Sequence, residues 1–379
     1  MRNLFIGILC FLLIFSTEID FDFMTNSDAI RPAVLACLLL LSFVFFAKNF
    51  KIPKLNSLAY KFLLAYLFYL FFNMILSIPY EGKINSIVGI YSCFLFSLFF
   101  YKNFEYSTIV KSVSYSVFIV SFLGVILFFV SPAFALNHEE FFRFKGLFNH
   151  SQRFSLILAT GLIILVVDRY KRKLEFFDYL KFIILFVLLL LTKTRANTTF
   201  VILIFLIDYF RNVNKIFLIL FSIIFFISFI YFDLLDNFTN IYSRDSADVT
   251  ELTGRTKLWE LLMPEIASNL LIGHGFGLFK TGPIPVFSWT PTHAHNLWLM
   301  QLYETGIIGT LLFSLFLIYS FSIAIKHKNI FGYSYLYYLI IFIFLSSLTG
   351  LIIGGLATPL YFIFFIFLFK EIDRVYGIS

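Results

Sequence analysis

Twelve apolar runs separated by polar connections dictate what this chain can fold into. They lie near residues 4–16, 33–47, 58–78, 85–101, 108–131, 154–167, 179–192, 197–210, 216–232, 297–325, 333–350 and 356–369. As helices, these runs cross or nearly cross the ~30 Å hydrocarbon core of a bilayer. Hydrocarbon offers no partner to a backbone N–H or C=O, so runs of this kind must close their hydrogen bonds within themselves. The expected fold is all-α: a polytopic integral membrane protein of about 12 transmembrane helices, with residues 1–379 forming a single membrane domain. Only 13% of the residues are charged, about half the share usual in a soluble domain.

The connections alternate in charge. One set carries Lys48, Lys51 and Lys54, then Lys102, then Arg169, Lys171, Arg172 and Lys173, then Arg211 and Lys215, then Lys326 and Lys328. The tails add Arg2, Lys370 and Arg374 to that set, while the opposite set is poorer in cations and includes the acidic stretch TEIDFDFMTNSD. Positive loops stay on the cytoplasmic side, so both termini are expected there. An even number of spans requires the same. The net charge of +7 is thus read as orientation in a membrane, and no basic platform points to nucleic acid. The first run resembles a signal-peptide core but lacks a small-x-small cleavage site, so it is expected to be retained as a span. Cys10, Cys37 and Cys93 lie in apolar runs without Cys-x-x-Cys spacing, which suggests neither a disulfide framework nor a zinc site. The 56 phenylalanines read as lipid-facing filler.

Two long segments fall on the outer face: residues 131–153, and the larger 233–295 between the ninth and tenth spans. The second introduces the polar stretches GRTKLWE, GHGFG and THAHNLWLMQLYETGIIG. Arg195, in the turn KTRAN, and Arg255 converge on this face from distant parts of the chain, and paired guanidiniums suit a phosphate or diphosphate. The plain alternatives are a headgroup anchor for Arg195 and a solvated charge for Arg255. His295 opens the tenth span beside Asn296, and an imidazole there can take a proton from a hydroxyl at neutral pH or simply satisfy a helix start. His293 offers a second imidazole, but no carboxylate stands in the adjacent turn, which disfavours a metal. GHGFG reads as a tight glycine turn in which His274 packs locally, without the context of a dinucleotide loop. Glu304, inside an apolar run, is expected to pair with a cation of the cluster. His150 and Arg153, at the start of the sixth span, either touch a second substrate or anchor in headgroups.

Arg195, Gly254-Arg255 with Trp259, the glycine turn at 273–277, and then His295-Asn296, Leu299, Glu304, Gly306 and Gly309 follow one another in an order that resembles the bacterial O-antigen ligase and polymerase superfamily. The resemblance implies a glycosyltransferase that takes a glycan from an undecaprenyl-diphosphate carrier and passes it, on the periplasmic face, to a lipid A-core hydroxyl (ligase) or to another repeat unit (polymerase). Arg195 and Arg255 would hold the diphosphate and His295 would activate the acceptor. His293, Asn296, Glu304, His150 and Arg153 would contribute to substrate binding. No cofactor or metal is implied, because the arginines replace a divalent ion. The Arg turn departs from the ligase pattern, reading Thr194-Arg195-Ala196 where ligases often have Ser-Arg-Gly. A different class of protein, a twelve-span transporter of lipid-linked sugars, would place polar groups or broken helices near the bilayer midplane. Here the polar features gather at one face.

Overall fold

The computed structural model describes residues 2–16, 57–76, 83–137, 143–209, 255–279, 294–349 and 359–377. The helices are α1 (Arg2–Ser16), α2 (Leu58–Leu76), α3 (Lys83–Asn103), α4 (Tyr106–Val130), the short α5 (Pro132–Ala135), α6 (Ser151–Asp168), α7 (Phe176–Leu191) and α8 (Arg195–Tyr209). After these come α9 (Arg255–Ser268), α10 (Leu297–Phe331), α11 (Tyr335–Thr349) and α12 (Pro359–Tyr376). A two-residue antiparallel pair, β1 (Leu136–Asn137) with β2 (Arg143–Phe144), sits between α5 and α6. Ten of the twelve apolar runs fall on these helices; 33–47 and 216–232 lie outside the described residues. By length and composition α2, α3, α4, α6 and α10 are long and apolar enough to cross a membrane.

Burial sorts the helices into inner and outer ones. Helix α6 is buried almost all round, and so is the Phe-rich stretch of α12, where Phe362, Phe364, Phe365, Phe367 and Phe369 are at most 1% exposed. A helix that is apolar on every face belongs in the middle of a bundle. This corrects the reading of phenylalanine as lipid-facing filler: α12 interlocks through rings such as Phe316–Phe364 and Phe96–Phe362. Phe68, Phe72, Phe122 and Phe129, on α2 and α4, are the exposed kind.

One end of the bundle is laced by buried acids. Asp208, at the end of α8, accepts from Arg169, from the Tyr170 hydroxyl at 2.7 Å and from the Tyr338 hydroxyl at 2.6 Å. Asp168, at the end of α6, accepts from Arg172 Nε at 2.6 Å and Tyr335 at 2.9 Å. Glu371 of α12 accepts from Tyr106 at 2.8 Å, Ser334 at 2.6 Å and the Leu336 N–H at 3.2 Å. The ends of α6, α8 and α12 and the starts of α4 and α11 are thus tied together here. It follows that α6 and α8 begin at the opposite end, where the sequence concentrates its candidate chemistry.

Candidate active site

Four of the helices that begin at that opposite end carry the candidate residues. Helix α6 starts after His150, whose backbone is extended, and carries Arg153 in its first turn. Helix α7 closes in a tight turn: the Thr192 hydroxyl meets that of Thr194 at 2.8 Å, Lys193 takes a left-handed φ of 49°, and Arg195 then begins α8. Helix α9, inside the segment read from sequence as a long loop, begins at Arg255. Helix α10 begins after His295 and Asn296; the Asn296 side chain accepts from the N–H groups of Trp298 at 2.9 Å and Leu299 at 3.2 Å, a side-chain N-cap.

Specific contacts bring these starts together. The Asn197 amide, two residues into α8, donates to Ser155 Oγ of α6 at 2.6 Å, and the Ser346 hydroxyl of α11 reaches Asn197 Oδ1 at 3.5 Å. On the same helix, Phe344 packs its ring edge-on against Trp298 of α10 at 6.4 Å. Trp259 of α9 donates its indole N–H to Ala294 O at 2.8 Å, and Leu258, Leu262 and Ile266 form a small core with Phe279, Ala294 and Met300. Helix α9 therefore lies alongside the first turns of α10, with Arg255 as its first residue. Arg195 is exposed, while Arg153, His150, His295 and Asn296 are half-buried. His293 lies outside the described residues, so the pairing of two histidines has no geometry here. Among the described residues no cluster of three His, Cys, Asp or Glu side chains could hold a metal.

The first turns that carry the candidate residues are cationic. Helix N-termini favour acids, yet the first turns of α6, α8, α9 and α10 contain none. Arg153, Arg195 and Arg255 occupy three of them instead, and His295 precedes the fourth. Cations at the positive end of a helix dipole cost a few tenths of a kcal/mol each. A bound anion offsets that cost, because the free N–H groups and the guanidiniums then serve it together. His295 adds backbone strain, with φ at 52°. The left-handed region is uncommon for any side chain but is visited more readily by histidine than by most.

Sequence reasoning missed how α10 is built. The helix breaks at Gly306, where φ is 63° and ψ −168°, a region essentially closed to residues with a Cβ. The turn after α9 fills the break: Ile307 N–H donates to Leu270 O at 2.8 Å and Ile308 N–H to Leu271 O at 3.3 Å. In return, His274 N–H donates to Tyr303 O at 2.8 Å and Gly275 N–H to Glu304 O at 2.9 Å. The glycines at 273, 275 and 277 all have positive φ, as the tight turn requires, and His274 stacks on Tyr303 with its Nε2 2.9 Å from Glu265 O. The buried Glu304 carboxylate accepts backbone N–H groups from Gly277 and Phe279. Among the described residues the turn itself supplies donors to the Glu304 side chain. The straight portion from residue 307 to 331 is about 37 Å long, enough to cross a bilayer by itself.

Residues 180–314 match the family model described as O-Antigen ligase. The match covers most of α7, all of α8 and α9, and α10 past its break, and so contains Arg195, Arg255, His295 and Glu304. His150, Arg153 and the whole of α2 lie outside it. No curated protein matches the chain.

Proposed function

Starting from a multi-pass membrane chain whose residues 180–314 belong to the O-antigen ligase family, we propose that it is a ligase. It moves a glycan from an undecaprenyl-diphosphate carrier to a sugar hydroxyl of lipid A-core, on the periplasmic face of the inner membrane, with both termini cytoplasmic. The observation that carries this reading is the convergence of four acid-free helix starts bearing Arg153, Arg195, Arg255 and His295. A diphosphate is the anion that such an end serves best.

In the proposed step the acceptor oxygen attacks the anomeric carbon of the donor. The bond from that carbon to the diphosphate oxygen breaks, and the carrier diphosphate leaves with the bonding electrons. Arg195 and Arg255 stabilise the charge that develops on it. His295 takes the proton of the acceptor hydroxyl. Asn296, by capping α10, holds the residue next to the base. His150 and Arg153, at the start of α6, suit the acceptor side. Glu304 is left out of substrate contact, because its carboxylate is occupied by the turn.

A broken helix is also a transporter's device, but transporters place the break near the bilayer midplane. Here the unbroken part of α10 is long enough to cross by itself, which favours surface chemistry. The test is a surface-glycan gel on a deletion strain, complemented with wild type or with His295→Ala. Bare lipid A-core with accumulated carrier-linked glycan, rescued only by wild type, is the expected result. Core capped by a single repeat unit identifies a polymerase instead. An unchanged ladder overturns both.

A further inference from the structure

Helix α2 contributes to this end of the molecule although it lies outside the family match and no part of the site was read from it. Asn73, 3% exposed, donates through Nδ2 to Ile272 O at 2.7 Å and accepts at Oδ1 from the Phe276 N–H at 2.7 Å. The side-chain amide thus grips both arms of the glycine turn as a second peptide group would. One turn earlier, the Tyr69 hydroxyl reaches Thr305 O at 2.7 Å and Ile272 O at 3.3 Å, so it ties the carbonyl beside the break to the same turn. Tyr66 donates to Gln301 Oε1 at 2.7 Å. From the other side, the Glu304 carboxylate holds the N–H groups of Gly277 and Phe279.

We propose that Asn73 and Glu304 are positioning residues: together they lock the turn of residues 272–279 onto the break at Gly306 and so fix the direction in which the outer part of α10 presents His295. This role rests on the reading of His295 as the base. The lever is long. His295 lies about 15 Å from the break along the helix axis, so a tilt of about 10° at Gly306 displaces it by roughly 2.5 Å, and a misplacement near 1 Å is enough to cost about a hundredfold in rate. A residue that merely supported the fold would lower the amount of active enzyme. Loss of a residue that sets this angle lowers turnover per molecule while Arg195, on a helix the turn does not carry, keeps its hold on the donor.

The test uses the full chain, purified and reconstituted in nanodiscs, with a polyprenyl-diphosphate oligosaccharide as donor and a lipid A-core oligosaccharide as acceptor. The variants are Asn73→Asp, which loses the donation to Ile272 O, and Glu304→Gln, which sets an amide NH2 against backbone N–H groups. Asn73→Ser serves if Asn73→Asp does not fold. Spin labels at Lys257 and Leu311, with the native cysteines replaced by serine, report the angle between α9 and the inner part of α10. The expected result is kcat at least tenfold lower, donor KM within threefold of wild type, and a broadened label distance. A kcat within threefold of wild type, or a fall in kcat with an unchanged label distance, overturns the proposal. Wild-type protein that transfers nothing sinks the ligase reading itself, and the positioning role with it; that failure is distinguished because it appears before any variant is compared.

Discussion

Gly273 and Gly306 meet back to back. A methyl group on Gly306 would lie 2.4 Å from Leu271 O and 2.6 Å from Gly273 N, and one on Gly273 would lie 2.5 Å from the carbonyl carbon of Glu304. The glycine turn and the broken helix can approach this closely only because neither residue has a side chain.

Gly306→Ala should therefore destabilise the protein by about 3 kcal/mol or more, since it adds a backbone clash to a forbidden conformation. Gly332→Ala is the control. Gly332 also has positive φ, at 79°, but a Cβ there would meet nothing within 4 Å, so the loss should be near 1 kcal/mol. Thermal midpoints of the purified proteins in detergent separate the two. Equal losses would mean that the close approach contributes nothing.

Arg195→Ala and Arg255→Ala should each reduce glycan transfer by about a hundredfold or more, on the scale of removing a transition-state charge partner, with membrane levels unchanged. Lysine at either position keeps the charge and loses the paired donors, so it should rescue only in part. Transfer at the wild-type rate by an alanine variant removes that arginine from the mechanism.

His295→Asn separates the imidazole from its backbone. Asparagine tolerates the left-handed conformation found at this position, so this variant should fold as wild type while losing about a hundredfold or more in transfer. His295→Ala should lose activity and some stability as well, and His293→Ala should be milder than either. A fully active His295→Asn variant would assign the base elsewhere.

At the far end, Asp208→Asn should cost about 2 kcal/mol and leave kcat unchanged. The carboxylate is only 1% exposed, whereas its partner Arg169 is 42% exposed and can turn to water, which tempers the loss. A melting curve and a transfer assay on the same preparation check both halves of the statement.

The helices were legible in the sequence because hydrocarbon enforces them: a run such as 108–131 has no other way to satisfy its backbone. Arg195, Arg255 and His295 all fall within the matched residues. What stayed hidden depends on long-range contact. Nothing near Asn73 signals that its partners lie at residues 272 and 276. The donors that Gly277 and Phe279 give Glu304 were hidden too, because a distant glycine turn leaves no local trace beside residue 304. The break had a visible trace in Glu304-Thr305-Gly306, an ionisable group and a glycine interrupting an apolar run. Helix α9 was read as loop because its apolar face, Leu258, Leu262 and Ile266, covers a small satellite core.

Asn73 and Phe276 are 203 residues apart. At about 5 to 20 residues per second, a ribosome completes the second roughly 10 to 40 s after the first. Throughout that interval α2 has its amide without the turn that the finished chain gives it. Completion of the site is thus a late event in biogenesis. A chain cut short before residue 276 lacks the contact that Phe276 gives the Asn73 amide, and with it the clamp that closes the glycine turn onto α2.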